Sequence, residues 1–240
     1  MALEPFVAPP SVLVIAAHPD DVDFGLAGTT ALWTAAGVEV AYCVVTDGNA
    51  GGFDPSIPRS QIPAIRRREQ RDAAKVVGVE TVEFLGYVDG EVEVSLGLRR
   101  DLAAMIRRFK PHTVIAQSPL RNFARIGASH PDHLAVGEAA LCAVYPDARN
   151  PFAFAELAEA GLEAHTVAQV GLVAHPDPTH YVDVTDAVER KLAAIACHAS
   201  QLPDPRATED HVRSWLRAGA VAAGLGENRA AELFFVFPTA

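Results

Sequence analysis

The sequence is short of nearly everything that would mark it for a membrane, a nucleic acid or an oxidising compartment. No apolar run reaches the ~18 residues that a spanning helix needs. The opening MALEPFVAPP lacks a basic start followed by an apolar core, which argues against a signal peptide. Basic residues are outnumbered: 20 Lys and Arg against 30 Asp and Glu leave a net charge of −10, whereas nucleic-acid phosphates call for a basic face. The three cysteines, Cys43, Cys142 and Cys197, are an odd number without CxxC spacing. Each lies in an apolar setting, as expected of reduced thiols in a cytoplasmic protein. Gly/Ser linkers, charged linkers and internal repeats are missing as well, so the 240 residues, half of them apolar, are expected to form one domain over 1–240.

What is present is an alternation of strand and helix patterns. SVLVIAA (11–17) is a continuous apolar run, the mark of a strand buried on both faces. Further strands are expected at 38–46, 81–86, 113–118, 167–175, 180–184 and 233–237, with helices at 27–37, 62–78, 96–109, 130–145, 186–201 and 209–224. This order predicts an α/β fold, a mostly parallel sheet flanked by helices, because parallel strands need crossover connections. Ligands in such sheets bind beyond the carboxyl ends of the strands. His18, Asp20 and Asp21 follow the first of these strands, Thr46-Asp47-Gly48 the second, and Gln117, Ser118 and then SHPDH the fourth. All fall at that one edge. A dinucleotide is disfavoured there, since GxGxxG is missing and Asp20, Asp21 and Asp23 would repel a pyrophosphate.

Those acids suit a cation. The tripeptide His-Pro-Asp occurs three times, in AHPDD (17–21), SHPDH (129–133) and AHPDP (174–178), where chance composition predicts ~0.04 copies. A catalytic divalent metal wants about three ligands from His, Asp, Glu or Cys and one open position. AHPDD supplies an imidazole and two carboxylates; SHPDH supplies two imidazoles three apart, on one face of a helical first turn. One carboxylate can bind metal while the other takes a proton from the water it activates. The alternative is that Asp20, Asp21 and Asp132 are helix caps and turn residues.

AHPDDVDFGLAGT together with SHPDH resembles the PIG-L/LmbE family of metal-dependent N-deacetylases, and TDG (46–48), RRREQRDAAKVVGV (66–79), FLGYVDG (84–90) and KLAAIACHASQ (191–201) agree with it. The resemblance implies a Rossmann-like fold with its active site at the C-terminal edge of the strands. It also implies zinc or iron(II) as the metal, and hydrolysis of the acetamide in a small N-acetylglucosaminyl conjugate to acetate and a free amine. By the same resemblance His18, Asp21 and His133 are the metal ligands and Asp20 the general base. His130 stabilises the oxyanion or protonates the amine, Asp132 orients an imidazole behind the ligands, and Arg66 touches substrate. Asp23 has no ligand role in that scheme.

Two other functions fit less of the sequence: an amidase for a bulkier acyl group on an amino-sugar thiol conjugate, and a binding module with a dead site, which would need a broken ligand set. The third HPD copy has Pro178 where the first copy has its second acid, so His175 reads as a turn residue. His198 is either a pocket or a structural histidine, Asp183 and Lys191 candidates for inner support, and Asp89-Gly90 first of all a turn, with a place on the pocket rim as the alternative. His112, His165 and His211 are expected to face solvent, and Trp33 and Trp215 to be core or interface. Loops 48–62, 119–129 and 146–165 are left to set selectivity, the first as a mobile pocket wall. The family's habit of forming homo-oligomers makes LFFVFP (233–238) either a sheet edge or an interface.

Overall fold

The computed structural model describes residues 2–239. Its strands are β1 (Glu4–Pro5), β2 (Ser11–Ala16), β3 (Glu39–Thr46), β4 (Thr81–Tyr87), β5 (Thr113–Gln117), β6 (Gln169–Val173), β7 (His180–Asp183) and β8 (Ala231–Pro238). They form one eight-stranded sheet in the order β1-β7-β8-β6-β5-β2-β3-β4. All neighbours are parallel except β8, which runs antiparallel to both β6 and β7. The α/β class and mostly parallel sheet are therefore as expected. LFFVFP is not a sheet edge: it lies inside the sheet, because its apolar residues on both faces suit a doubly covered strand.

The two faces follow from the period of two along each strand. Val12, Val14 and Ala16 point into one apolar layer with α1 (Asp21–Ala35), α2 (Ile62–Val76), α6 (Val188–Ala196) and α7 (Pro205–Ala222). Leu13, Ile15 and Ala17 point into the other with α3 (Leu96–Phe109) and α4 (Pro131–Cys142). Short β1 and α5 (Ala155–Glu159) were not expected, and the helix expected over 186–201 is confined to α6, with single tight turns on either side.

The largest departure lies in α1. It begins at Asp21 rather than at Ala27, and bends at Leu26 (φ −151°, ψ 19°). The bend frees backbone groups that a straight helix would pair, and each finds a partner from far along the chain. Lys191 Nζ donates to the Asp23 and Phe24 carbonyls at 2.8 and 2.7 Å. Glu232 of β8 accepts from the Gly28 and Thr29 N–H groups at 3.1 and 2.7 Å, and the two side chains pair with each other at 2.7 Å. Both are essentially buried. Gly28 is required here, since a Cβ would sit 2.9 Å from Val184 Cβ.

After β2 the chain turns to β3 on one side and, later, to β5 on the other, so the crevice between the ends of β2 and β5 is a topological switch point. Gln117 ties these ends together, its Oε1 accepting the Ala17 N–H at 3.0 Å.

Candidate metal centre

Donor atoms of three side chains converge at that crevice. His18 Nδ1 lies 3.2 Å from His133 Nε2 and 3.3 Å from Asp21 Oδ2, and His133 Nε2 lies 3.1 Å from Asp21 Oδ1. Local structure brings each of them in. Asp21 opens α1 and its carboxylate accepts the His18 N–H at 2.7 Å, which folds the HPDD turn on itself. His133 sits in the first turn of α4, whose Pro131 occupies the position where a missing N–H costs nothing. The far side of each ring is also held. His18 Nε2 meets Asp132 Oδ2 at 3.1 Å and Asp89 Oδ1 at 3.2 Å, and His133 Nδ1 faces the Ala128 carbonyl at 3.4 Å. With those outer nitrogens as donors, His18 Nδ1 and His133 Nε2 keep their lone pairs for the centre.

Asp20 and Asp132 are not side-chain caps, whereas Asp21 does also bond within its turn. Asp20 is at the N-cap position of α1 yet its side chain makes no capping bond. Asp132 is fully buried, and besides His18 it accepts from the Gly90 and Val92 N–H groups at 2.7 and 3.4 Å.

Asp20 stands beside the donors in a left-handed conformation (φ 93°). Arg66 Nη2 donates to its Oδ2 at 2.7 Å, and the same guanidinium reaches the Pro19 and Gly48 carbonyls. Gly48 has φ 61°, and any Cβ there would collide with Arg66, so the TDG turn needs its glycine twice over. Arg66 is thus only 4% exposed and paired with the Asp20 carboxylate. His130 caps α4, its Nδ1 accepting the Asp132 N–H at 3.2 Å, which leaves Nε2 to carry the proton of the neutral ring. The His18 and His130 rings are 4.9 Å apart, edge to face.

Charge is organised around the same atoms. Burial lifts the Asp20 carboxyl to about 6, with Asp21 adding to the rise and Arg66 opposing it. Burial also opposes a charged His18, yet the bonds and charges of Asp21 and Asp89 lift that imidazole to about 11. His133 likewise outweighs burial and holds Asp21 well below the usual carboxylate range. The cluster therefore draws positive charge to its centre. Donors about 2.0–2.1 Å from a single zinc ion stand roughly 3 Å apart, as these three do. The residues fit a divalent metal.

Two cavities flank the donors. One of 280 Å³ is lined by His18, Asp20, Gly51, Arg66, Asp89 and His130, and the other, of 370 Å³, by Asp21, Gln117, Arg125, His133, His175 and Trp215. Loop 48–62 does contribute pocket wall through Ala50 and Gly51. His211 is exposed and borders the second cavity. His175 reaches that cavity too, stacked on Phe235 at 4.1 Å, and Trp215 lines it under the Arg125 guanidinium at 4.2 Å. Asp89 lines the first cavity, as its alternative reading as a rim residue had it, but sequence reasoning missed its contact with His18 and gave Asp23 no role although that side chain is fully buried. Of the two supports expected, Lys191 is internal, whereas Asp183 pairs with Arg229 nearer the surface.

Residues 13–144 match the PIG-L family (GlcNAc-PI de-N-acetylase). The chain belongs to the PIG-L family. Among its relatives is the diacetylchitobiose deacetylase of Thermococcus kodakarensis, 32% identical over 201 residues that cover 84% of this chain and 73% of the relative. Another is the "Probable N-acetyl-alpha-D-glucosaminyl L-malate deacetylase 2" of Bacillus anthracis, 32% identical over 198 residues, 79% of this chain and 80% of that one. The solved structure of N,N'-diacetylchitobiose deacetylase from Pyrococcus horikoshii, in complex with its inhibitor MPG, superposes with a TM-score of 0.89. It is 33% identical, with 98% of this chain and 86% of that chain covered. These PIG-L relatives are deacetylases, and no helix among the described residues of this chain is long and apolar enough to cross a membrane.

Proposed function

We propose that this chain is a zinc-dependent N-deacetylase that hydrolyses the acetamide of an N-acetylglucosamine unit in a small conjugate, giving acetate and a free amine. The observation that carries the proposal is the convergence of two imidazole nitrogens and one carboxylate at 3.1–3.3 Å, with a second, independently held carboxylate beside them. His18, Asp21 and His133 would hold the metal, and two nitrogens with one oxygen suit zinc, with iron(II) as the other candidate. When bound, the ion supplies Lewis-acid polarisation of the amide carbonyl and of the attacking water.

The chain's own groups do the rest. Asp20, with a carboxyl near 6, is charged at neutral pH and weak enough as a base to give the proton back. It takes the proton of the attacking water and returns it to the departing nitrogen, since an amide anion does not leave unprotonated. His130 presents Nε2–H towards the carbonyl oxygen as negative charge grows there, the term that usually dominates acyl transfer. Arg66 keeps Asp20 turned to this task, and Asp132 keeps His18 Nδ1 aimed at the metal.

A second reading, hydrolysis of a bulkier acyl group, draws support from the 370 Å³ cavity against Asp21 and His133, which has room for far more than a methyl group. Acetate release measured over a panel of N-acetylglucosaminides, with zinc, with iron(II) and after chelation, tests both. Acetate from at least one conjugate, lost on chelation and restored by metal, is expected. No release under any condition, or a rate indifferent to chelation, refutes the deacetylase. Faster turnover of long-acyl analogues moves the assignment to the second reading.

A further inference from the structure

We infer that Gln70, Asp23 and His198 are positioning residues for Asp20, a buried relay that pins the backbone of the general base. The role of Asp20 comes from the deacetylase reading; the relay itself stands on hydrogen bonds.

Asp20 needs such a hold. Its φ of 93° lies where a Cβ is disfavoured, and its N–H stands at the start of α1, where no carbonyl of the helix can accept it. Gln70 Oε1 accepts that N–H at 2.8 Å. An amide can face either way, so something must fix it. Gln70 Nε2 donates to Asp23 Oδ2 at 2.8 Å, and a carboxylate can only accept, so the Gln70 oxygen must face Asp20. His198 Nε2 meets the same Asp23 oxygen at 2.8 Å and sets the carboxylate in turn. All three side chains are fully buried, and none lines either cavity.

Packing alone does not account for these residue types. Apolar side chains would fill the space without desolvating an acid and an imidazole. The chain also leaves Asp23 Oδ1 and His198 Nδ1 without a partner among the described residues. The arrangement makes sense as a line of hydrogen bonds that starts at the Asp20 N–H, passes through Gln70 and ends on the Asp23 carboxylate, which His198 holds from the other side. It is also completed from one helix face: Arg66 and Gln70 are four residues apart on α2, one holding the carboxylate of Asp20 and the other its backbone. His198 thus touches the chemistry through two intermediaries, Asp23 and Gln70.

A double-mutant cycle on the metal-loaded chain tests this. Gln70→Leu is expected to lower kcat about 10- to 100-fold, with KM and bound metal unchanged, as for loss of a supporting hydrogen bond behind a reactive group. In an Asp20→Asn background the same replacement should cost less than twofold, because the group it positions is already gone. Asp23→Asn should recover most of what Asp23→Ala loses, since one amide oxygen can accept from both Gln70 and His198. Equal losses in both backgrounds, a rise in KM, or metal loss in step with kcat would make Gln70 merely structural and overturn the inference. Hydrogen exchange at the Asp20 amide gives a readout independent of turnover: slow in the wild type and at least tenfold faster in Gln70→Leu. If the wild type releases no acetate from any conjugate, the deacetylase reading falls, and the exchange result still decides the relay: unchanged protection overturns it.

Discussion

Replacing Lys191 with Met isolates the buried pair that splints α1. The side chain is fully buried and its ammonium makes three bonds, to two carbonyls exposed by the bend and to Glu232. Met fills similar volume, so the change is chiefly one of charge and donors. Glu232 keeps the Gly28 and Thr29 N–H groups, but its carboxylate becomes a buried charge without a counterion. Breaking a buried pair in this way costs about 3–5 kcal/mol. At about 2–4 °C per kcal/mol for a chain of this size, thermal unfolding should shift down by ~6–20 °C. The sharper expectation concerns the second replacement. Adding Glu232→Gln to Lys191→Met removes the stranded charge but leaves one acceptor oxygen for two N–H groups; an unpaired buried charge costs more than one such bond, so the double variant should still be the more stable of the two. Scanning calorimetry on the four proteins of the cycle provides the measurement. A single variant within 1 °C of wild type, or a double variant less stable than Lys191→Met, would refute the splint.

Other outcomes follow from the site. With the Asp20 carboxyl at about 6, the base is protonated and inactive below that pH, so kcat should fall tenfold per pH unit on the acid side and level off above it. In Asp20→Asn, kcat should drop by about 10²–10⁴ with metal still bound, and that acid limb should vanish from the pH–rate profile. Asp132→Ala leaves the outer nitrogen of His18 to Asp89 alone, and metal affinity, read by competition with a chelator, should weaken about 10- to 100-fold. Gly137→Ala would drive a Cβ into the Gln117 carbonyl and to 3.0 Å from Pro119 N, lifting α4 from the end of β5. A loss of about 1–3 kcal/mol in denaturant unfolding is expected, with metal content as a second readout because α4 carries His133.

Much of the fold was legible because the central strands read as unbroken apolar runs and three of the helices close on Gly37, Gly78 and Gly224. The convergence of His18, Asp21 and His133 was legible because His18, Asp20 and Asp21 are adjacent, and His130 and His133 share one helical turn. What escaped depends on contacts across the chain. Asp89 reaches His18 only because β4 ends beside β3, and Asp-Gly alone spells a turn. Asp23 and His198 are 175 residues apart, and neither carries a local signal of the other. The start of α1 was missed because Gly25, Gly28 and three acids argue against helix locally, while Lys191 and Glu232 override them from outside. Arg66 was expected to touch substrate on the strength of a resemblance; its burial against Asp20 could be seen only once α2 was packed.

The interior placement of β8 bears on how the chain comes into being. As residues emerge in order from the ribosome, β2 through β6 can pair with one another, yet β7 and β1 have no sheet to join until Ala231–Pro238 arrive between them and β6. The same segment brings Glu232 to Gly28, 204 residues earlier. Until then Lys191 alone holds the bend of α1, and the Gly28 and Thr29 N–H groups wait for their acceptor. A chain cut short before Ala231 is therefore expected to keep a sheet of β2 to β6 while β1 and β7 stay undocked.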